Sequence, residues 1–535
     1  MSLLANLFRS AWARIAHRQN AGHASAHGPE VSEDGNGLGV LPMEKLLSIG
    51  KERLGAGDLV AAEKHFGAAT VRSPDSAEAQ FYLGVALLRQ KHYEDAIDCF
   101  VLALGYRPEF VDARFQLGLA HLYLGHFDEA IECFRKVIEL KPGHADAHCN
   151  LGYLLHKHLE EVDEAEAHLR RALKLAPEKI ETQINLAMVM DYRGEGDAAF
   201  RAYNRILKMK PDDPEARVNR ALALLARGDF ASGWADYEAR HALQTRRDFR
   251  LPVWDGTSLS GRVIVVHAEQ GLGDEILFAS CLPDLVAQAD RVILECSERL
   301  EPLFRRSFPQ AVVRSMRKND PIDWLGEYGP VHFQAPIGSL PRWFRRDRAA
   351  FGGKGGYLVA DSQAVDEWRN RLAVRGKRIV GVSWRGGGPA TRGRLRSVPL
   401  ELLNPLLEQD AEFVSLQHGS DTNELEGTRG RVRAFPGITD NPDELAALIV
   451  ALDLVISVDN TTAQLAGALG VPLWIMLSAS PEWRYGSSGE TMPWYPSARL
   501  FRQGKERRWE PVVQEITDAL KDWCGRSETG MKSRH

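Results

Sequence analysis

The chain of 535 residues is short of several things that mark particular protein classes. It has six cysteines and no Cys-x-x-Cys pair, so no disulfide framework is spelled out. Cys99 and Cys133 occupy equivalent places in adjacent repeats, as small core residues do, and a reducing, cytoplasmic setting is expected. No stretch reaches the roughly 18 apolar residues that a membrane span needs. The best candidate, residues 445–458, is interrupted by Asp453, so no transmembrane segment is expected. Charge of one sign is missing too: 67 basic and 72 acidic residues leave a formal charge of -5. No bulk field therefore favours nucleic acid or an anionic membrane, and any anion site must be local. Acids are absent before Glu30, in a stretch that carries Arg9, Arg14 and Arg18. Residues 1–39 are accordingly a short basic amphipathic helix, of the transit-peptide or surface-anchor kind, or a frayed disordered tail.

What is present is a period. Prolines recur at Pro74, Pro108, Pro142, Pro177 and Pro211, an interval of about 34 residues that is the spacing of tetratricopeptide repeats. Gly84, Ala96, Phe100, Ala103 and Pro108 match Gly50, Ala62, Phe66, Ala69 and Pro74, and Gly118, Ala130, Phe134 and Pro142 continue the series. Small residues at the first two places let two helices approach while the aromatic fills the groove between them. The proline is expected to restart the next helix, where its missing N–H costs nothing. One unit cannot bury its apolar face alone, so the units must stack as an all-α solenoid. About six units are expected over residues 40–244, the fourth with a one-residue insertion near Glu160 and the sixth degenerate. Such an array offers a concave face to a protein, or acts as a spacer. Asn150, Asn185 and Asn219 recur at the same interval. A ladder of this kind either holds an extended peptide backbone or makes ordinary bonds between repeats.

After Trp254 and Asp255 the helical period gives way to short β-rich runs, which sets a boundary near residue 245. Residues 262–267 form a buried strand, 271–273 a tight turn, 274–289 a helix, 291–296 the next strand and 301–308 a helix. A second series has strands at 379–384, 413–417, 454–458 and 472–477 and helices at 443–452 and 461–469. Alternation of this kind predicts parallel sheets. Two α/β lobes follow, residues 245–375 and 376–512, ahead of a C-terminal helix and tail at 513–535. Ligands in such sheets sit at the carboxyl ends of strands, here in the cleft between the lobes.

Four strings carry a resemblance: EQGLGDEILF (residues 269–278), VGVSWRGG (380–387), ISVDNTTAQLAGALGVP (456–472) and PWYPSARLFRQ (493–503). They look like bacterial tetratricopeptide-repeat glycosyltransferases, whose catalytic half is similar to the heptosyltransferases of lipopolysaccharide synthesis and, more loosely in plan, to O-linked N-acetylglucosamine transferases. The resemblance covers about residues 40–510. It implies a GT-B fold of two Rossmann-like lobes, inverting transfer from a nucleotide sugar, and a protein acceptor, flagellin or another surface protein, bound by the array.

Asp274, just after the GLG turn, would aim its carboxylate into the cleft, with Gly273 beside it as a candidate contact. The resemblance implies that it is the general base of inverting transfer; a helix cap is the structural alternative. Glu269 and Glu275 are neighbouring acids able to substitute for it. Asp459, Asn460, Thr461 and Thr462 stand before a helix whose N-terminus faces the same cleft, as a diphosphate seat or as a routine capped helix. Relatives commonly carry His where this chain has Gln464, so an ionisable role there is lost or replaced by neutral hydrogen bonding; His418 is either its substitute or a satisfied loop histidine. Arg385, followed by Arg392, Arg394 and Arg396 in a glycine-rich loop, is the densest positive cluster of this half. Guanidinium groups stabilise a leaving nucleoside diphosphate without a metal, and with no Asp-x-Asp or metal-spaced His or Cys set, no metal cofactor is expected. Trp483, Arg484, Trp494 and Tyr495 border the closing segment as donor or acceptor contacts, or as packing. The glycine run at 352–356, around Lys354, lacks the Walker spacing and is expected to be a linker turn. Two other readings stand beside the leading one: a lipid-linked or polysaccharide acceptor, and an inactive scaffold, for which Gln464 is the argument.

Overall fold

The repeat period has a steric origin that the computed structural model makes explicit. The structure describes residues 41–525 apart from 160, 244–246, 317–321, 353–354, 374–375, 388–392, 420–423, 426 and 429. The N-terminal tail, Glu160, Lys354, Arg392 and the end of the C-terminal tail lie outside the described residues. Six helix pairs run in order: α1 Met43–Gly55 with α2 Leu59–Arg72, α3 Ala77–Arg89 with α4 Tyr93–Tyr106, α5 Val111–Leu124 with α6 Phe127–Leu140, α7 Ala145–Leu154 with α8 Val162–Leu175, α9 Ile180–Tyr192 with α10 Gly196–Met209, and α11 Pro214–Ala226 with α12 Phe230–Tyr237. By packing, the chain divides into two compact units, Met1–Val189 and Met190–His535.

In the first unit the glycines make room for the aromatics. A methyl group at Gly50 would lie 2.5 Å from the Phe66 ring, at Gly84 2.7 Å from Phe100, and at Gly118 2.8 Å from Phe134. All three rings are fully buried. The π-helical turn Leu155–Leu159 closes the first helix of the fourth pair, which is how a helix absorbs one extra residue. The prolines differ from expectation, because they do not start helices. Each sits second in a four-residue turn closed by a backbone bond, as from Ser76 N–H to the Ser73 carbonyl (3.0 Å) and from Phe110 N–H to that of Arg107 (3.1 Å). Proline's fixed φ suits that turn position. The proline carbonyls are used as well: Gln80, Arg114, His148 and Gln183, each six residues on, hydrogen-bond those of Pro74, Pro108, Pro142 and Pro177.

The second unit joins the last helices to two parallel sheets. The first sheet has β1 Val263–His267, β2 Arg291–Ser297, β3 Val312–Met316 and β4 Phe333–Pro336 in the order β3-β2-β1-β4. The second has β5 Arg378–Ser383, β6 Ala411–Ser415, β7 Val432–Arg433, β8 Leu454–Val458, β9 Leu473–Leu477 and β10 Ala498–Arg502 in the order β10-β9-β8-β5-β6-β7. β1 and β8 are buried along their whole length, as strands covered on both faces must be. The expected helix at 274–289 is shorter: α13 spans Leu272–Phe278, and a separate turn of helix begins at Leu282 with Pro283 in its first turn, where an interior proline would break a continuous helix. β3, β4, β7 and β10 were not legible in the sequence pattern, being short or, in β10, hidden in the closing string.

The change from helix to strand near residue 245 is not a break in packing. Leu225, Trp234 and Tyr237 of the sixth pair share one apolar core with Phe278, Trp483 and Trp494. The Trp234 ring lies 5.4 Å edge-on from Trp483, and its indole N–H donates to the Arg345 carbonyl at 2.8 Å. A terminal repeat has no successor to cover its apolar face; here the α/β region covers it. The helix α14, Ser362–Leu372, packs with the second sheet's helices, since Trp368 donates to Glu444 and stacks edge-on against Phe435. At the end of the glycine run the backbones approach closely: a side chain at Gly356 would overlap the Leu469 backbone.

Candidate functional site

Strand order locates the chemistry. Counted within itself, the second sheet runs 3-2-1-4-5-6, and ligands of such sheets bind outside the point where the order reverses. That point lies between the carboxyl ends of β5 and β8. Asn460 ties the two ends together: its amide donates to Ser383 Oγ at 2.7 Å and to the Arg385 carbonyl at 3.1 Å, and its oxygen caps α15, Thr461–Ala468, by accepting from Ala463 N–H. Gln417 Oε1 accepts from the N–H groups of Trp384 (3.0 Å) and Arg385 (2.8 Å), which fixes the turn after β5.

The first turn of α13 meets the first turn of α15. A methyl group at Gly273 would lie 3.6 Å from Thr461 Oγ1 and 3.5 Å from Gln464 Cγ. Two helix N-termini, one following a strand of each sheet, thus pack against each other. Asp274 stands in the first turn of α13 and does not cap it; its carboxylate accepts from Arg484 at 3.0 Å. Burial alone would lower the Arg484 pKa, but the facing carboxylates of Asp274 and Asp459 outweigh it and raise it, so the guanidinium is permanently charged. Just before, Gln270 holds a left-handed backbone (φ 67°) and its amide is bonded to the Tyr237 hydroxyl at 2.8 Å. A non-glycine residue in that region is strained, and here the sixth helix pair holds it in place.

Several expected contacts are used up internally. Asp459 is buried, accepting from the Tyr485 hydroxyl (2.7 Å) and from Arg396 (3.3 Å), so it fixes those groups instead of presenting a carboxylate to a phosphate. Thr462 is buried with its hydroxyl on the Leu416 carbonyl. Thr461 alone of the four is exposed. Gln464 is buried in a neutral chain, Tyr495 hydroxyl to Gln464 Oε1 (2.8 Å) and Gln464 Nε2 to the Tyr485 hydroxyl (2.9 Å). His418 does not replace it; it lies exposed beside Thr439 and Asp440. Arg385 pairs with Glu424 at 3.1 Å and donates to the Gly419 carbonyl, while Arg394 is exposed. Trp483 is a core residue among Trp234, Phe278 and Trp494.

Neither neighbouring acid is a spare base of the same kind. Glu269 is locked to Arg240 (2.6 Å) and to Gly338 N–H (2.9 Å). Glu275 is buried, with Ser297 N–H on its carboxylate, and burial, aided by Asp274, pushes its pKa up to about 7. In the array, Asn185 is buried with its amide on Cys149 Sγ, and Asn219 bonds the Glu215 carbonyl of its own helix. These are ordinary structural bonds; Asn150 is half-buried. Sequence reasoning missed Tyr485, whose role depends on Asp459 and Gln464, 26 and 21 residues away; no local signal marks it.

Residues 47–108, 115–180 and 185–243 match the family model described as tetratricopeptide repeat. The helical array is made of tetratricopeptide repeats. The chain is also similar to Protein FlbA of Caulobacter vibrioides, 32% identical over 314 residues, 55% of this chain and 52% of that protein. It thus spans about half the length of this curated relative. Among solved structures, the tetratricopeptide-repeat region is similar to such a protein from Parabacteroides merdae (22% identity, 38% of this chain and 80% of that one, TM-score 0.34). It is likewise similar to a thermophilic repeat protein of Thermus thermophilus (25% identity, 34% of this chain and 100% of that one, TM-score 0.29). No described helix is long and apolar enough to cross a membrane.

Proposed function

We propose that the chain is an inverting glycosyltransferase of GT-B plan that moves a sugar from a nucleotide sugar to a protein acceptor bound by the tetratricopeptide repeats. The observation that carries this reading is the packing of Gly273, the residue before Asp274, against Thr461 and Gln464 of α15, so that helices following strands of the two parallel sheets meet at their first turns. In the reaction, the acceptor oxygen attacks the anomeric carbon and its proton passes to Asp274, while the nucleoside diphosphate leaves with the electron pair of the glycosidic bond. The leaving diphosphate is seated at Thr461 and the α15 N-terminus. Arg394 supplies positive charge at its edge, and Arg396, held by Asp459, fixes the loop. Arg484 orients the base. Its bond to Asp274 loosens as the acceptor hydroxyl takes its place.

Sugar-dependent nucleotide release, measured over a panel of nucleotide sugars, tests this reading. Asp274→Asn is expected to lower turnover by about 10²- to 10⁴-fold while nucleotide binding persists. Full rate in that variant removes the base assignment. A scaffold without activity has one observation in its favour: Asp459, Asn460, Thr462 and Gln464 are all engaged in internal bonds. Absence of turnover with every donor, alongside intact protein binding, would establish it.

A further inference from the structure

A cavity of about 290 Å³ lies between the turn joining α11 to α12 and the loop 483–494. Its wall is built, not incidental. Ser487 N–H donates to the Ala226 carbonyl at 3.0 Å, joining the loop to the end of α11. Arg502 pins the same loop by donating to the carbonyls of Tyr485, Gly486 and Gly489. Trp494 and Phe230 form its apolar side, both against Phe351 at 4.9 and 4.8 Å.

The polar lining has one sign. Arg227, Arg348 and Arg484 face the cavity with the hydroxyls of Ser487, Ser488 and Thr491, and among the described residues no carboxylate lines it. Arg348 is exposed. Arg227 pairs at 2.9 Å with Asp197, which is 87% exposed, so that this pair is weak in water, while the Ala223 carbonyl and the Phe200 ring hold the guanidinium in place at the cavity wall. Arg484 is engaged by Asp274. At about 290 Å³ the cavity stands at the lower end of the range of small-ligand pockets, roughly 300–1,000 Å³, a size that admits one or two side chains. One wall belongs to the last tetratricopeptide repeat, and one lining residue touches the candidate base.

We propose that this cavity is an acceptor subsite that takes an acidic side chain of a polypeptide, placing a neighbouring hydroxyl residue toward Asp274. As an acceptor subsite it rests on the transferase reading; as a peptide site it can be tested without it. The probe is a fluorescently labelled blocked octapeptide alternating Asp and Ser, compared with one alternating Asn and Ser, titrated into the full chain by anisotropy at low and high salt. The acidic peptide is expected to bind at least tenfold more tightly, and more weakly as salt rises. Arg348→Glu, a change at an exposed position, should remove that preference. Arg227→Ala should reduce it, and donor-nucleotide binding should be unchanged in both. Equal binding of the two peptides, or a preference that survives Arg348→Glu, overturns the subsite. Turnover of a nucleotide sugar that persists in that case leaves the transferase reading standing. Peptide preference without any turnover sinks the transferase reading and leaves an acidic-peptide site.

Discussion

Glu275 shows how a single buried carboxyl sets a pH dependence. Its ordinary pKa of 4.5 rises to about 7 through burial, against the opposing Ser297 N–H and with help from Asp274. The folded chain therefore binds more protons here than the unfolded chain between about pH 4.5 and 7, and stability falls across that window as pH rises. Above pH 7 the full cost, about 3 kcal/mol for such a shift, is present. Glu275→Gln keeps an oxygen for Ser297 N–H and removes the charge. It is expected to raise the melting temperature at pH 8 and to have little effect near pH 5, as checked by thermal unfolding at both. Arg240 is the opposite case, a buried cation that neutralises Glu269 and Glu238. Arg240→Ala leaves those carboxylates unpaired and is expected to cost about 3–5 kcal/mol; adding Glu269→Gln should restore part of it. A double-mutant cycle by denaturant unfolding measures both.

Among elements, the helices of the array were the most legible and the strands the least. Gly50, Gly84 and Gly118 declare their function by position, since they face Phe66, Phe100 and Phe134, each on the second helix of the same pair. Gly84→Ala places a methyl group 2.7 Å from the Phe100 ring, so that ring must move; a loss of about 1–3 kcal/mol is expected, read as a lower thermal midpoint with the helical signal of the folded baseline unchanged. Gly152 holds the place in the fourth pair, where a methyl group would lie 2.7 Å from Leu169, and Ala187 and Ala221 hold it in the fifth and sixth, so the penalty belongs to the pairs that keep the glycine. Strands as short as β4 and β7 carry too few residues for a two-residue alternation to show. The prolines were misplaced because turn and first helical turn both suit the ring's fixed φ, and only the closing backbone bond separates the two.

For the molecule as a whole, the sixth helix pair belongs to the same compact unit as the sheets and shares its core. Removing residues 1–244 would strip Trp234 and Tyr237 from Phe278 and Trp483 and expose a large aromatic surface. That fragment is expected to aggregate, whereas one starting at residue 177, which keeps α9 whole, should stay folded and retain nucleotide binding. Soluble yield and limited proteolysis distinguish the two. The repeat and the alternation of strand and helix could be read from the order of residues alone, because both show as patterns over a few neighbouring residues. Which polar residues at the strand ends face outward was fixed only by folding. Asp274 meets Arg484 across 210 residues, and Asp459 is consumed by Arg396 63 residues away. A carboxylate's role depends on what lies within a few ångströms of it, and no local pattern encodes a neighbour so far along the chain.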